Sequence, residues 1–280
     1  MDYLQIAKYL RTKKRLGQNF LINEEVLNDI VEYADLSDKD TVLEIGPGVG
    51  FLTEKLVKSA GKVIAVELDE EAVHELQKLD AKNLTILHQD ILKTDISSLV
   101  QNTKIKVVAN IPYYITTPIL AHLLGEIDDL NNKNRNAISE IILMVQEEVA
   151  RRMVATEKSQ GKQFGLLSIL SQFWADCSSL RTVGRRSFYP SPKVTSALVK
   201  LSVRNEPLLK LSDYSYFRKT IKAAFGQRRK NIKNALCNAG FDKTSVLNVL
   251  KLLSFNENVR DENLSINDLG KISEELCKLK

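Results

Sequence analysis

Asn110-Ile111-Pro112-Tyr113 directly follows an apolar run, Ile105–Ala109, and its groups suit one kind of chemistry. The exocyclic amine of a base such as adenine is a poor nucleophile, because its lone pair is delocalised into the ring. A side-chain amide oxygen and a backbone carbonyl that both accept from that amine localise the lone pair and aim it. Asn110 supplies the first acceptor, and the Ile111 carbonyl is the candidate for the second. Pro112 fixes its own φ and stiffens the turn. Tyr113 offers a ring face for a base lifted out of its stack. Positioning and electrostatics carry such a step without a titrating general base. A strand-to-loop turn with a buried Tyr would also read this way.

A second stretch, Glu44-Ile45-Gly46-Pro47-Gly48-Val49-Gly50, joins an apolar run to a helical pattern. Glycines there let a ligand approach the main chain. The spacing is not the dinucleotide G-x-G-x-x-G, because Phe51 stands where the third glycine would. A carboxylate two residues before the first glycine suits a ligand with a cationic end. S-adenosylmethionine, which has an ammonium and a sulfonium and no phosphate, answers that description. Glu67 ends the next apolar run, 17 residues after Gly50, where a carboxylate can accept both ribose hydroxyls. Asp90, after a third run, is placed to accept from an adenine amine. Either acid alone reads equally as a cap or strand end. Three acids at successive strand ends read as a ligand rim. Phe188-Tyr189-Pro190-Ser191-Pro192 is a second aromatic loop, held extended by its prolines. From it, Phe188 could clamp a base opposite Tyr113.

These residues need a scaffold, and the periodicity supplies one. Short apolar runs at Thr41–Ile45, Lys62–Glu67, Leu84–His88, Ile105–Ala109 and Ile138–Val145 alternate with helical patterns at 23–34, through Ser59, at Glu70–Leu79 and from about Pro118. Such alternation predicts a parallel sheet covered on both faces. Ser179–Val183 and Ser196–Leu201 read as two further strands. From about Tyr214 the pattern is helical only. A boundary falls near Val203–Ser212, where Pro207 breaks a continuing strand.

The 280 residues suffice for one full domain and a smaller one. No apolar run reaches the ~20 residues of a membrane span. The start of the chain lacks a signal or transit layout, so a cytoplasmic address is expected. Cys177, Cys237 and Cys277 are far apart, and with His74, His88 and His122 they show no metal-ligand spacing. Net charge is +5, unevenly placed. Lys8, Arg11, Lys13, Lys14 and Arg15 form one acid-free cluster. Arg218, Lys219, Lys222, Arg228, Arg229, Lys230 and Lys233 form another. Two such clusters suit a polyanion such as nucleic acid, although a solvated helix face would account for either one alone.

Taken together and in this order, six stretches resemble the ribosomal RNA adenine dimethyltransferases, specifically the bacterial small-subunit type. They are Leu16–Leu21, Glu44–Gly50, Glu67-Leu68-Asp69, Asn110–Tyr113, Phe188-x-Pro190-x-Pro192-x-Val194-x-Ser196 and Phe225-Gly226-Gln227-Arg228-Arg229-Lys230-Asn231-Ile232. The likeness spans residues 13 to 240 or so. It implies a Rossmann-like α/β domain over residues 1–203 that binds S-adenosylmethionine without a metal. It also implies a small all-α RNA-recognition domain over residues 204–280. The implied reaction is dimethylation of two adjacent adenosines in the 3′-terminal hairpin loop of 16S ribosomal RNA. The implied partner is a partly assembled small subunit, met by a protein that is monomeric when free. By resemblance the cofactor contacts are Asn19, Leu21, Gly46, Glu67, Asp90 and Asn110. Asn110, Tyr113 and Phe188 would hold the base. Lys13, Lys14, Arg15, Arg228, Arg229 and Lys230 are the expected RNA contacts. The local departure is Tyr114-Ile115-Thr116-Thr117. A large-subunit methyltransferase of the macrolide-resistance type, and a non-catalytic assembly factor, are the alternatives. Both strand-end acceptors, Glu67 and Asn110, are present, which speaks against the second.

Replacing Arg228, Arg229 and Lys230 together by Ala is expected to make log affinity for RNA fall less steeply with log salt, by about 0.7–0.9 for each phosphate left unneutralised. An unchanged slope would assign the cluster to solvated surface.

Overall fold

The computed structural model describes residues 3–9, 18–100, 103–227 and 230–280. Among the described residues the strands are β1 Phe20–Leu21, β2 Thr41–Ile45, β3 Lys62–Glu67, β4 Leu84–His88, β5 Ile105–Asn110, β6 Ile138–Gln146, β7 Ala175–Val183, β8 Phe188–Tyr189 and β9 Ser196–Val203. Seven of them make one sheet in the order β4-β3-β2-β5-β6-β9-β7. The first five strands of that order are mutually parallel, and β9 runs antiparallel to β6. The sequence reversal between β2 and β5 is a switch point, where open α/β sheets hold ligands beyond their carboxyl ends.

Burial explains the apolar strands. Val42, Val63, Val108, Ile142, Met144 and Leu198 pack into one core cluster with Val26, Leu27, Ile30 and Leu56 from helices Glu24–Ala34 and Thr53–Ser59. Their strand neighbours Leu43, Val107, Ile141, Leu143 and Val199 are also fully buried. Successive side chains point to opposite faces, so both faces of the sheet are covered. β4, at the sheet edge, is only partly buried, which fits its mixed sequence Leu-Thr-Ile-Leu-His. Helix Glu24–Ala34 begins as expected. The Asn23 side chain accepts from the Val26 amide at 3.3 Å, and Glu24 and Glu25 sit in the first turn.

The helix after β5 runs Thr116–Leu124, two residues earlier than the sequence pattern suggested. Pro118 lies in its first turn, where no amide partner is needed. A further element was not anticipated: β1 pairs antiparallel with β8, Phe20 opposite Tyr189 and Leu21 opposite Phe188. Two-residue strands are too short to show a period.

The chain divides into two compact units. One comprises Met1–Gly125, Asn131–Ala150 and Asp176–Val203, and the other Glu126–Leu130, Arg151–Ala175 and Arg204–Lys280. The second unit thus includes 126–130 and 151–175, besides the 204–280 stretch that the sequence marked as helical. Its helices include Leu166–Trp174, Tyr214–Phe225, Ile232–Asn238, Lys243–Leu252 and Ile266–Lys278. Phe173 explains why helix Leu166–Trp174 belongs here. Its ring lies 5.3 Å from that of Trp174, edge-on, and 5.7 Å from that of Phe217. Trp174 also donates to the Glu126 carbonyl at 3.2 Å. Among the described residues, no helix is long and apolar enough to cross a membrane.

Gly61, just before β3, is where two segments come closest: a Cβ there would lie 1.9 Å from the Asp38 carbonyl oxygen. Gly61→Ala is therefore expected to destabilise the protein by about 1–3 kcal/mol, the range for overpacking, in urea unfolding. A wild-type midpoint would show that the Asp38 loop yields freely.

Candidate active site

Parallel register places the chemistry. Ile45 stands opposite Val66 on β3 and Ala109 on β5, so the next residues, Gly46, Glu67 and Asn110, emerge together at one rim of the sheet. A cavity of about 140 Å³ opens there. Asn19, Leu21, Gly46, Glu67, Asp90, Asn110 and Tyr113 all line it, as do Glu44, Ile111, Leu68 and Tyr114. Seven of the eight cofactor or base residues expected from the sequence are thus brought together.

The glycine loop needs its glycines. Gly46, Gly48 and Gly50 have φ of +65°, +57° and +88°, a region costly for residues with a Cβ. At Gly48 a Cβ would also press on the Phe20 ring at 3.2 Å, whereas at Gly46 it would meet open space. Glu67 ties the loop to β3. One carboxylate oxygen accepts from the Gly48 amide at 2.9 Å, and the other accepts from the Leu68 and Asp69 amides at 2.8 Å each. A carboxylate has about four acceptor sites, so capacity remains for a ligand hydroxyl. Asp90 caps the short turn after it, accepting from the Leu92 amide with Oδ1 at 3.0 Å. The capping reading of this acid is therefore realised, and Oδ2 has no partner among the described residues.

Glu44 is the unusual group. It is 2 % exposed, and its Oε2 has no hydrogen-bond partner among the described residues. Burial pushes its carboxyl up to about 8; the Thr53 hydroxyl acts against this, and the charge of Glu67 adds to it. A cation arriving beside Glu44 would favour the ionised form.

Asn110 is oriented from a place the sequence did not suggest. Its Nδ2 donates to the Asn19 carbonyl at 3.5 Å. That bond is long, but it sets the amide so that Oδ1 stays available as the acceptor. Tyr113 stands on a one-turn 3₁₀ element, and its hydroxyl is 2.5 Å from Ser196 Oγ. Burial raises the phenol's pKa, with the Ser196 bond acting the other way, so the ring stays neutral.

Phe188 is the exception. It is 3 % exposed, pairs with Leu21 through β8, belongs to the core cluster and does not line the cavity. It packs in the core cluster that also holds Phe20 and Leu21. Of the RNA contacts expected from charge, Lys13, Lys14, Arg15, Arg228 and Arg229 lie outside the described residues, and Lys230 is exposed. Two neighbours in the second cluster are occupied by acids of their own unit: Arg218 by Glu126 and Asp128, and Lys233 by Glu257.

S-adenosylmethionine presents an ammonium, a sulfonium, two ribose hydroxyls and an adenine amine. The orphaned Glu44 oxygen, the remaining acceptor site of Glu67 and the free Asp90 Oδ2 suit groups of that set, and the open space at Gly46 admits a ligand against the backbone. Fold and site together define a Rossmann-like methyltransferase that acts on an amine nitrogen.

Comparison with known proteins narrows the class. Residues 9–278 match the ribosomal RNA adenine dimethylase family. The ribosomal RNA small subunit methyltransferase A of Clostridium botulinum (strain Langeland) is 39 % identical over 273 residues, with 96 % of each chain covered. A dimethyladenosine transferase from Plasmodium falciparum superposes with a TM-score of 0.74 at 28 % identity, covering 91 % of this chain and 96 % of that one. The 23S rRNA methyltransferase ErmE gives 0.71 at 25 % identity, covering 92 % and 100 %. The chain belongs to the ribosomal RNA adenine dimethylase family, and it is an S-adenosylmethionine-dependent methyltransferase of adenine in ribosomal RNA.

Glu44 yields a pH prediction for the ligand-free protein. Its carboxyl titrates near 4.5 when exposed and near 8 when folded. Between these values the unfolded chain releases the proton and the folded chain keeps it, so stability falls as pH rises through this window. Glu44→Gln, a neutral mimic, is expected to gain stability over wild type from pH 5.5 to pH 8.5 in urea unfolding. A gap that stays constant between the two would mean that Glu44 ionises in place without penalty.

Proposed function

We propose that the protein dimethylates the N6 amines of two adjacent adenosines in the 3′-terminal hairpin loop of 16S ribosomal RNA, within a partly assembled small subunit, and that it acts as a monomer. The observation that carries this reading is the convergence of Asn110 and Tyr113 on the cavity that also holds Glu44, Gly46, Glu67 and Asp90. The similarity to small-subunit methyltransferases supports the choice of RNA.

In this reading Glu67 accepts the ribose hydroxyls of the methyl donor and Asp90 its adenine amine. Glu44 gives up its proton and faces the cationic end. Asn19, Leu21 and the Gly46 backbone complete the cradle. When bound, S-adenosylmethionine supplies a methyl carbon made electrophilic by its sulfonium. The chain's own residues do the rest. Asn110 Oδ1 and the Ile111 carbonyl accept from the two hydrogens of the adenine amine, which concentrates its lone pair on nitrogen. The Tyr113 ring stacks on the flipped base and fixes its plane. The amine becomes acidic only as it forms its new bond, so its proton can leave to solvent, and no side chain needs to be poised as a base. After one transfer the nitrogen keeps one hydrogen, and one of the two acceptors can orient it for a second. Catalysis and donor binding are assigned to residues 1–203. RNA recognition is assigned to the helical residues 204–280, with Lys230, Arg228 and Arg229 on phosphates and Lys13, Lys14 and Arg15 assisting. This division supposes a cytoplasmic enzyme meeting nascent subunits.

Asn110→Ala is expected to lower the single-turnover methylation rate on undermethylated small subunits, at saturating donor, by ~10²-fold or more, the scale for losing a transition-state hydrogen bond. Near-normal turnover would remove Asn110 from the chemistry. Mass spectrometry of both ribosomal RNAs, from cells with and without the gene, checks the target. Loss of dimethyladenosine from 23S RNA alone would refute the small-subunit assignment.

A further inference from the structure

Phe188-x-Pro190-x-Pro192-x-Val194-x-Ser196 ends in a residue with no role so far. Ser196 begins β9 and is completely buried. Its place is set twice by backbone pairing: it stands opposite Gln146 on β6, and the preceding carbonyl, that of Thr195, accepts from the Glu147 amide at 3.0 Å. β6 in turn is registered on β5, with Met144 opposite Asn110. The sheet therefore fixes Ser196 relative to the strand end that bears Asn110. The Ser196 hydroxyl reaches the Tyr113 hydroxyl at 2.5 Å, and no other bond to that phenol is formed among the described residues.

Tyr113 needs such a partner. Its turn is short, and none of its three residues is buried. The ring is attached at one end through two rotatable bonds, so its face can swing unless the far end is held. A half-buried phenol without a partner would also turn toward water. We propose that Ser196 is a positioning residue for the methyl transfer, tethering the Tyr113 phenol so that its ring face stands beside the Asn110 acceptor. This rests on the reading of Tyr113 as the stacking surface for the target base. Ser196 itself touches neither base nor donor, since it does not line the cavity.

The test is a double-mutant cycle on the full-length protein, with undermethylated small subunits and radiolabelled S-adenosylmethionine. Ser196→Ala and Tyr113→Phe each break the tether while keeping an aromatic ring at position 113. Each is expected to lower the single-turnover rate at saturating subunit about tenfold, since small displacements of a positioned group are costly, with donor affinity and melting temperature near wild type. The double variant is expected to be no slower than either single one. Ser196→Cys, which keeps a weak donor, should recover part of the rate. Multiplicative losses in the double variant, or wild-type rates in Tyr113→Phe, would overturn the tether. If Ser196→Ala fails to fold, Tyr113→Phe with Ser196→Cys still decides the matter. If the wild-type protein leaves small-subunit adenines unmodified, it is the underlying reading of the site that fails. Normal wild-type methylation with an indifferent Ser196 removes only the tether.

Discussion

The carboxylate of Glu67 holds this site together. It accepts from Gly48, Leu68 and Asp69 amides at once, joining the glycine loop after β2 to the turn after β3. Charge-assisted bonds of this kind are the strong ones, and here they restrain a loop whose three glycines would otherwise be costly to order. The influence of this acid also reaches outward. Asp69, whose amide Glu67 binds, caps helix Glu70–Gln77 and accepts from the Gln18 side chain at 3.0 Å. Gln18 precedes Asn19, whose carbonyl orients Asn110. One acid thus connects the glycine loop, through hydrogen bonds and the Gln18-Asn19 peptide, to the side-chain amide of Asn110.

Parallel strands make that linkage possible. With β2 between β3 and β5, the three residues just beyond Ile45, Val66 and Ala109 share one rim, and groups far apart in sequence face one cavity without any long loop. The site stands on strand ends buried on both faces, so its geometry inherits the rigidity of the core. The β1–β8 ribbon adds a second restraint from the same unit, with Phe188 packed under Leu21.

Much of this was legible in the chain itself. Runs such as Val42-Leu43 and Lys62–Glu67 are apolar enough to be strands and short enough not to be helices, and their alternation with helical periods leaves few folds. That Gly46, Glu67, Asp90 and Asn110 line one cavity could be anticipated, because each stands at or just past a strand end. The burial of Phe188 could not. Its letters say aromatic beside proline, and only a cross-strand partner, Leu21, far away in the chain, reveals that its ring is buried. The Asn19 carbonyl that orients Asn110 is a backbone atom, invisible to residue type. The helix at Leu166–Trp174 was hidden for another reason. Its apolar face is met by Phe217, beyond the intervening strands, so no local period announces its partner.

Glu44 shows what the site sacrifices for its ligand. A buried carboxyl with an orphaned oxygen, next to a second acid, is a liability in a free protein. An apolar residue of similar volume would fill the same space without desolvating an acid. Local rules of this kind are broken at functional sites and upheld elsewhere. Here the break has a direction. A carboxyl that burial holds toward its neutral form gains a charge interaction once a cation arrives and its proton leaves. The rim acids Glu67 and Asp90 keep other partners and can wait in either state of the site. The Glu44 Oε2 has none among the described residues, and the cationic end of the proposed methyl donor would supply one.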